Sequence, residues 1–382
     1  MRMYGGEHDV TVGDALLADD GYYYVVGTVF TQWEPEMQGD ILLLKLDPAG
    51  EVVWQRTYGG DGFDTGQSIA QTSAGELLIA GGTRSFSDGD MDGYLMLVDR
   101  EGAELWSQTY GGPLDEMVGA QQLPDGGYIL GGNIVDPNDI VTDPGAAGYG
   151  GFEGRANICA FRVDEDGDEI WSQAFDSEDN IMAVGGVQMP DGGFLAMASI
   201  IYFPDDGDDI LLVKLDADGN MEWSRIFDEG HTNAYEIIPT SDGNYLITGS
   251  YRSMENTDDQ TEDYLFIKID SDGNELWRST FGDPDMIDYG VALDETADGG
   301  FVTVAEVSAD HYTGDVDLEI VKIDEDGEFV WEQPVPVDSH TMLRSIIQNP
   351  DGGFFIAGAT FDGSGFSLLF VKTDAEGLIA ED

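Results

Sequence analysis

Short apolar runs, each closed by an aspartate–glycine turn, recur along the whole chain. In one copy, Ile210-Leu-Leu-Val213 leads through Lys214 to the turn Asp216-Ala-Asp-Gly219, and the chain leaves through Trp223. The pattern predicts a β-hairpin. The first Asp of the turn hydrogen-bonds backbone two residues on, and the Gly takes the left-handed geometry of a type I turn with a G1 bulge. The turn Asp recurs at Asp47, Asp99, Asp164, Asp216, Asp270, Asp324 and Asp374, and the Gly at Gly50, Gly102, Gly167, Gly219, Gly273, Gly327 and Gly377. The Trp recurs at Trp54, Trp106, Trp171, Trp223, Trp277 and Trp331 and is missing from the last copy.

A second turn precedes each hairpin, at Asp20-Gly21, Ala74-Gly75, Asp125-Gly126, Asp191-Gly192, Asp242-Gly243, Asp298-Gly299 and Asp351-Gly352. Each unit therefore carries four strand signals. In the fifth they are Ala234 to Pro239, Tyr245 to Gly249, Tyr264 to Asp270 and Glu275 to Thr280. No stretch shows helical periodicity. The expected fold is all-β, a single seven-bladed β-propeller of four-stranded antiparallel blades spanning residues 1–382. The Trp106–Trp171 interval is long, and its excess, residues 133–157 in blade 3, reads as a surface loop over one face. Arg2-Met-Tyr-Gly-Gly6 repeats Arg56-Thr-Tyr-Gly-Gly60, the end of a fourth strand. Residues 1–6 are thus expected to pair with blade 7, close the ring and protect an edge.

The Lys-Leu-Asp-x-x-Gly-x-x-x-Trp hairpin resembles the repeats of the pyrroloquinoline-quinone-like propeller superfamily, whose Trp docks between blades. Copies such as Lys45-Leu-Asp-Pro-Ala-Gly-Glu-Val-Val-Trp54 lack that family's Thr and are one residue shorter at the turn. The Trp-x-x-x-Tyr-Gly-Gly and Asp-Gly-Gly-Tyr/Phe elements are similar to archaeal and bacterial cell-surface or secreted propeller repeats. The resemblance implies the fold and leaves the function open.

Charge changes the picture of the surroundings. Fifteen Lys plus Arg stand against 77 Asp plus Glu, a net −62, on a chain that is 41% hydrophobic. Such a surface repels nucleic acid and anionic lipid and attracts cations and basic partners. The composition resembles that of proteins from extreme halophiles, where salt screens the self-repulsion. Cys159 is the single cysteine, so no intrachain disulfide can form. No run of 18 apolar residues is present, hence no transmembrane helix is expected. No signal-peptide pattern precedes the first repeat.

All five lysines, Lys45, Lys214, Lys268, Lys322 and Lys372, share one register of the third strand; Arg162 and Leu97 fill the other two slots. A ring of cations for an anionic ligand is one reading. A repeated internal Lys–Asp pair is the expected one, because the slot lies in an apolar strand where an unpaired charge is expensive. The recurring Trp residues are expected to pack between blades.

Antiparallel connectivity puts the short turns on one face and the long loops on the other, where binding is expected. The ligand-binding candidates there are the loop aromatics Trp33, Tyr149, Phe152, Tyr202, Tyr251 and Tyr312, as a platform for a glycan or a partner protein. His8, Asp179, His231, Asp285 and His340 share nearly one register in the loops between blades. Converging side chains there suit a divalent cation, the one cofactor the sequence admits. Asp-x-Asp-Gly turns resemble a calcium loop but lack its further ligands. Quinone is disfavoured, because the resembling dehydrogenases use adjacent cysteines and this chain has one. No residue set identifies a catalytic site; His-Glu-x-x-His, Gly-x-Ser-x-Gly and Walker patterns are absent. The expected function is a non-catalytic binding or scaffold propeller, monomeric, at the surface of or secreted by a halophilic microbe. The alternatives are a polysaccharide-active hydrolase or lyase using loop-face carboxylates, and a cytoplasmic location in a cell that accumulates salt.

Overall fold

The structure is a computed structural model that describes residues 1–4, 8–32, 37–87, 91–111, 116–140, 154–175, 180–202, 207–228, 230–253, 261–308, 316–337, 341–361 and 365–379. The fold is a seven-bladed β-propeller, seven four-stranded antiparallel sheets with no helix among the described residues. In blades 1 to 6 the four strands follow chain order. In blade 7 the order is Thr341–Gln348, Phe354–Phe361, Phe366–Lys372 and then Arg2–Tyr4. The N-terminal strand thus supplies the last edge, with Arg2 opposite Phe370 and Tyr4 opposite Leu368. Tyr4 Oη donates to the Gly50 carbonyl at 3.0 Å, and Arg2 pairs with Glu51.

The turns form as their residues require. All fourteen turn glycines have φ between 73° and 98°, conformations that L side chains rarely adopt. In the second turn of each blade the leading Asp accepts backbone N–H groups; Asp216 Oδ1 takes Asp218 N at 3.0 Å and Asn220 N at 2.8 Å. A register shift between Lys214 and Leu215 marks the bulge that closes the hairpin.

Two compact units divide the chain. One contains blades 2 to 4 and the other blades 5 to 7, and the strands of blade 1 are shared between them. Within each unit, second and third strands are buried on both faces, which is why they read as unbroken apolar runs. Their side chains form clusters between neighbouring blades, such as Val304, Ile320, Leu343, Phe354 and Leu369. Burying one Phe of this kind contributes about 1.5–3 kcal/mol. The repeated Trp packs against the turn glycine of the next blade. A Cβ on Gly167 would crowd Trp106, on Gly219 Trp171, on Gly327 Trp277 and on Gly377 Trp331. The Tyr four residues after the Trp fixes the same joint, with Tyr58 and Tyr110 each donating to the next turn's carbonyl at 2.7 Å.

The blade 3 insertion differs from the expected loop. Its second strand runs on to Ile140 and its third begins at Gly154, with Ile134 opposite Asn157 and Ile140 opposite Gly154. Residues 141–153 lie outside the described residues.

Candidate functional site

The cation slot resolves into structural pairs. Lys214 Nζ lies 2.6 Å from Asp191 and 2.8 Å from Glu222; Lys268 lies 2.8 Å from Asp242, Lys322 2.8 Å from Asp298, Lys45 3.0 Å from Asp20, and Arg162 2.6 Å from Asp125. Each cation is buried, and each shared partner is the first-turn Asp of the same blade. Hydrogen bonds to Asp191 and Glu222 push the Lys214 pKa up to about 12. Hydrogen bonds from Lys322 and Thr296 hold Asp298 at about 2. Blade 2 shows the coupling: Leu97 replaces the cation, Ala74 replaces the Asp, and Arg100 Nε instead caps the turn at the Gly75 carbonyl, 2.7 Å away. In blade 7, Lys372 donates to the Pro48 carbonyl at 2.5 Å.

Removing one partner exposes the worth of such a pair. Asp242→Ala leaves the Lys268 ammonium buried beside the Phe301 ring, 5.3 Å away, without its carboxylate partner. The expected loss is about 2–3 kcal/mol. Adding Lys268→Met should restore most of it, since the uncompensated charge is then gone. Chemical unfolding of the single and double variants checks this; a double variant no better than Asp242→Ala would refute it.

A second carboxylate register sits where one blade passes to the next. Asp64 accepts Gly60 N–H at 3.0 Å and Ser85 Oγ at 2.5 Å, and also pairs with Thr83. Asp288 accepts Asp283 N–H at 2.6 Å. These aspartates cap the link between blades. A Cβ on Gly59 would crowd the carboxylates of Asp40 and Asp64, and one on Gly282 those of Asp263 and Asp288. Burial, then Glu319 and Asp263, pushes Asp288 up to about 6.

The metal and ligand candidates are not gathered by the described residues. Trp33, Tyr149, Phe152, Asp179, Tyr312 and His340 lie outside them, and of Tyr202 only the strand pairing with Gly207 is described. His8 is exposed. His231 opens the first strand of blade 5, half-buried and opposite Arg252. Tyr251 lies within the second strand, not a loop, and would overlap a Cβ on Gly230. Asp285 is exposed in a turn whose Asp283 accepts its N–H at 3.0 Å. Among the described residues, no three or more His, Cys, Asp or Glu side chains converge as metal ligands.

What the alternation along the chain does not reveal is a β-bulge at one register of the first strand in blades 2 to 7. Bulges re-aim side chains and recur beside functional sites. The bulged residues are Gln67, Val118, Val184, Tyr235, Val291 and Arg344, followed by Ser68, Gly119, Gly185, Glu236, Ala292 and Ser345. Here the repeats diverge while their turns stay alike.

In blades 5 and 7 this register is polar and aromatic, at Tyr235–Glu236 and Arg344–Ser345, while blade 6 carries Val291 and Ala292. Tyr235, 36% exposed, stacks on Tyr289 with ring centroids 5.5 Å apart. Tyr289 Oη donates to Glu306 Oε2 at 2.9 Å. Burial raises the Glu306 pKa against the opposing pull of Tyr289 and the exposed Arg344. Glu236 accepts the Leu293 N–H; burial and then Asp14 push its carboxyl up to about 8. Asp294 accepts Gln348 N–H at 2.7 Å, and burial pushes it to about 6.

In blades 3 and 4 the same register is small and apolar, at Val118–Gly119 and Val184–Gly185, while blade 2 carries Gln67 and Ser68. This register surrounds a recess of about 210 Å³.

A family model described as outer membrane protein assembly factor BamB matches residues 157–376. The regulatory protein FlaEY of Caulobacter vibrioides is 25% identical over 197 residues, which are 44% of this chain and 20% of that protein. The chain thus spans a fifth of that relative's length. A puromycin hydrolase structure superposes with a TM-score of 0.56 at 12% identity, over 97% of this chain and 54% of that one. A Synechocystis apocarotenoid oxygenase mutant gives 0.50 at 10% identity, over 86% and 72%. At these identities the structures share the fold alone. No helix among the described residues is long and apolar enough to cross a membrane.

Proposed function

The chain belongs to the family of the outer membrane protein assembly factor BamB, and from that membership we propose that it is a non-catalytic binding or scaffold propeller. Its partner is a protein presenting a basic segment, met at or outside the surface of a cell in high salt. One observation carries this reading: the Tyr235–Tyr289 stack, with Tyr235 36% exposed and the Tyr289 hydroxyl bonded to Glu306. An arginine or lysine side chain laid over Tyr235 gains a cation–π contact. The rest of the molecule favours the same partner. Five of the buried cations are committed to internal pairs, and the net charge of −62 draws basic segments toward the protein.

A synthetic peptide rich in lysine and arginine, titrated in molar KCl, tests the proposal. Saturable binding is expected, weakened about three- to tenfold by Tyr235→Ala, because screened charges leave the ring contact as the discriminating term. Tyr235 is exposed enough for that variant to fold. An equal affinity for Tyr235→Ala, or no saturable binding, would sink the reading.

A further inference from the structure

Six copies of the second hairpin carry a Trp on their outer strand, and the seventh carries Glu381 at that register. The strand pairing sets the register. Lys322 lies opposite Trp331 and Ile323 opposite Phe329; in blade 7 Thr373 lies opposite Ile379, two residues before Glu381. At five joints the Trp ring packs on the turn glycine of the following hairpin. A Cβ on Gly102, Gly167, Gly219, Gly327 or Gly377 would come within 2.7–3.1 Å of it. Gly50 is the turn glycine that falls to blade 7, and among the described residues a Cβ there meets nothing within 4 Å.

The other parts of this joint are in place. Tyr4 Oη donates to the Gly50 carbonyl at 3.0 Å, as Tyr58 and Tyr110 donate to Gly102 and Gly167 at 2.7 Å. Arg2 stands at the register of Arg56, whose guanidinium lies 5.2 Å from the Trp54 ring. Lys372 answers for the missing indole. At the joint after blade 3, Trp171 Nε1 donates at 3.3 Å to the carbonyl of Ala217, second residue of the next turn. The matching carbonyl in the blade 1 turn is that of Pro48, and Lys372 Nζ donates to it at 2.5 Å. Lys372 thereby departs from its register. Lys45, Lys214, Lys268 and Lys322 each pair with the first-turn Asp of their own blade, whereas the corresponding Asp351 is exposed.

We propose that the joint of Gly50, Pro48, Arg2 and Lys372 is a docking site for the tryptophan side chain of a partner protein. The occupant is read from the chain itself, since the same walls hold an indole at five other joints. The ring lies on Gly50 with Arg2 over its face, a cation–π contact of the kind Arg56 makes. Its N–H takes the Pro48 carbonyl, as a buried indole needs an acceptor. Lys372 is then released toward Asp351, the partner its register has elsewhere. Neither the Tyr235 stack nor the surface charge is used, so this site stands apart from the recognition of a basic segment.

The test uses a short uncharged peptide of serine and glycine around one fluorotryptophan. It is titrated with the full chain in molar KCl and followed by fluorine NMR. Saturable broadening with a Kd on the order of 1 mM is expected. Glu381→Trp supplies the ring from the chain itself. It should raise the melting temperature by about 2–4 °C and weaken peptide binding about tenfold or more. Lys372→Met frees the Pro48 carbonyl and should tighten binding about threefold, a result that does not depend on the folding of the first variant. Fluoroindole alone should bind severalfold more weakly than the peptide, because it brings no flanking backbone; equal affinity would assign the joint to a small molecule and overturn the partner. No saturable broadening, or a Kd that neither variant moves, would overturn the inference.

Discussion

Replacing Glu236 by Gln is expected to raise the melting temperature at pH 8 and to leave it nearly unchanged at pH 4. The Glu236 carboxyl is pushed up to about 8 by burial and by Asp14, with Asp294 adding a smaller push. Its unfolded value is about 4.3. A group whose folded pKa is raised favours the fold while it is protonated. That contribution is complete below the unfolded value and is lost as pH rises toward the folded one. Glu236 therefore weakens the fold progressively between about pH 4.3 and 8. Asp288 and Asp294, both pushed to about 6, act in the same direction between about pH 4 and 6. The opposite limb belongs to carboxylates such as Asp298, held at about 2, whose support is lost as pH falls from about 4 to 2. Stability should consequently peak at mildly acidic pH. Glutamine keeps an oxygen for the Leu293 N–H and removes the charge. Because part of that push comes from neighbouring Asp14 and Asp294 rather than from burial alone, the gain at pH 8 should be on the order of 2 kcal/mol. Thermal unfolding across pH 4–8 measures it. A variant less stable than the parent at pH 8, or a gain equally large at pH 4, would contradict the assignment.

The turns and the joints between blades were legible because their chemistry is local or repeated. Asp216 and Gly219 specify their turn within four residues, and Trp171 meets its turn glycine at one register in successive blades. The lysine pairing was legible in kind, since a charge in an apolar strand demands a partner. Its partner was available from the same comparison of copies. Blade 2 loses Lys and Asp together, at Leu97 and Ala74, and that joint change identifies the first-turn Asp. The bulge register was hidden for a physical reason. One extra residue shifts the alternation by one, so Tyr235 and Arg344 do not fall where a period of two places them. The caps at Asp64 and Asp288 were visible only as acids among many. Their burial depends on backbone passing within reach of Gly59 and Gly282, a contact that spacing along the chain does not encode. The loop aromatics were chosen for exposure, whereas the described aromatic stack lies on first strands, presented by a bulge and its neighbour.

Lowering the salt from molar to about 10 mM should cost more stability than any single substitution discussed above. The excess of 62 negative charges has no internal relief, because buried cations in five blades are already committed to pairs. Two like charges 10 Å apart repel by about 0.4 kcal/mol in water. At 1 M salt the Debye length is about 3 Å and that repulsion all but disappears; at 10 mM it is about 30 Å and the repulsion persists. If each excess carboxylate has a single net neighbour at that distance, the folded state carries on the order of 10 kcal/mol of repulsion. The expanded unfolded chain relieves much of it. For a chain of 382 residues the unfolding entropy is about 0.8 kcal/mol per kelvin, so the melting temperature should fall by about 10 °C. Two controls separate screening from specific ion binding. KCl and NaCl should act alike at equal ionic strength, and charge-reversed surface variants such as Asp218→Lys should each blunt the dependence slightly. A melting temperature that stays constant from molar to millimolar salt would remove the electrostatic case for a high-salt setting, and with it the reason for a partner whose basic side chains are recognised chiefly through a ring contact.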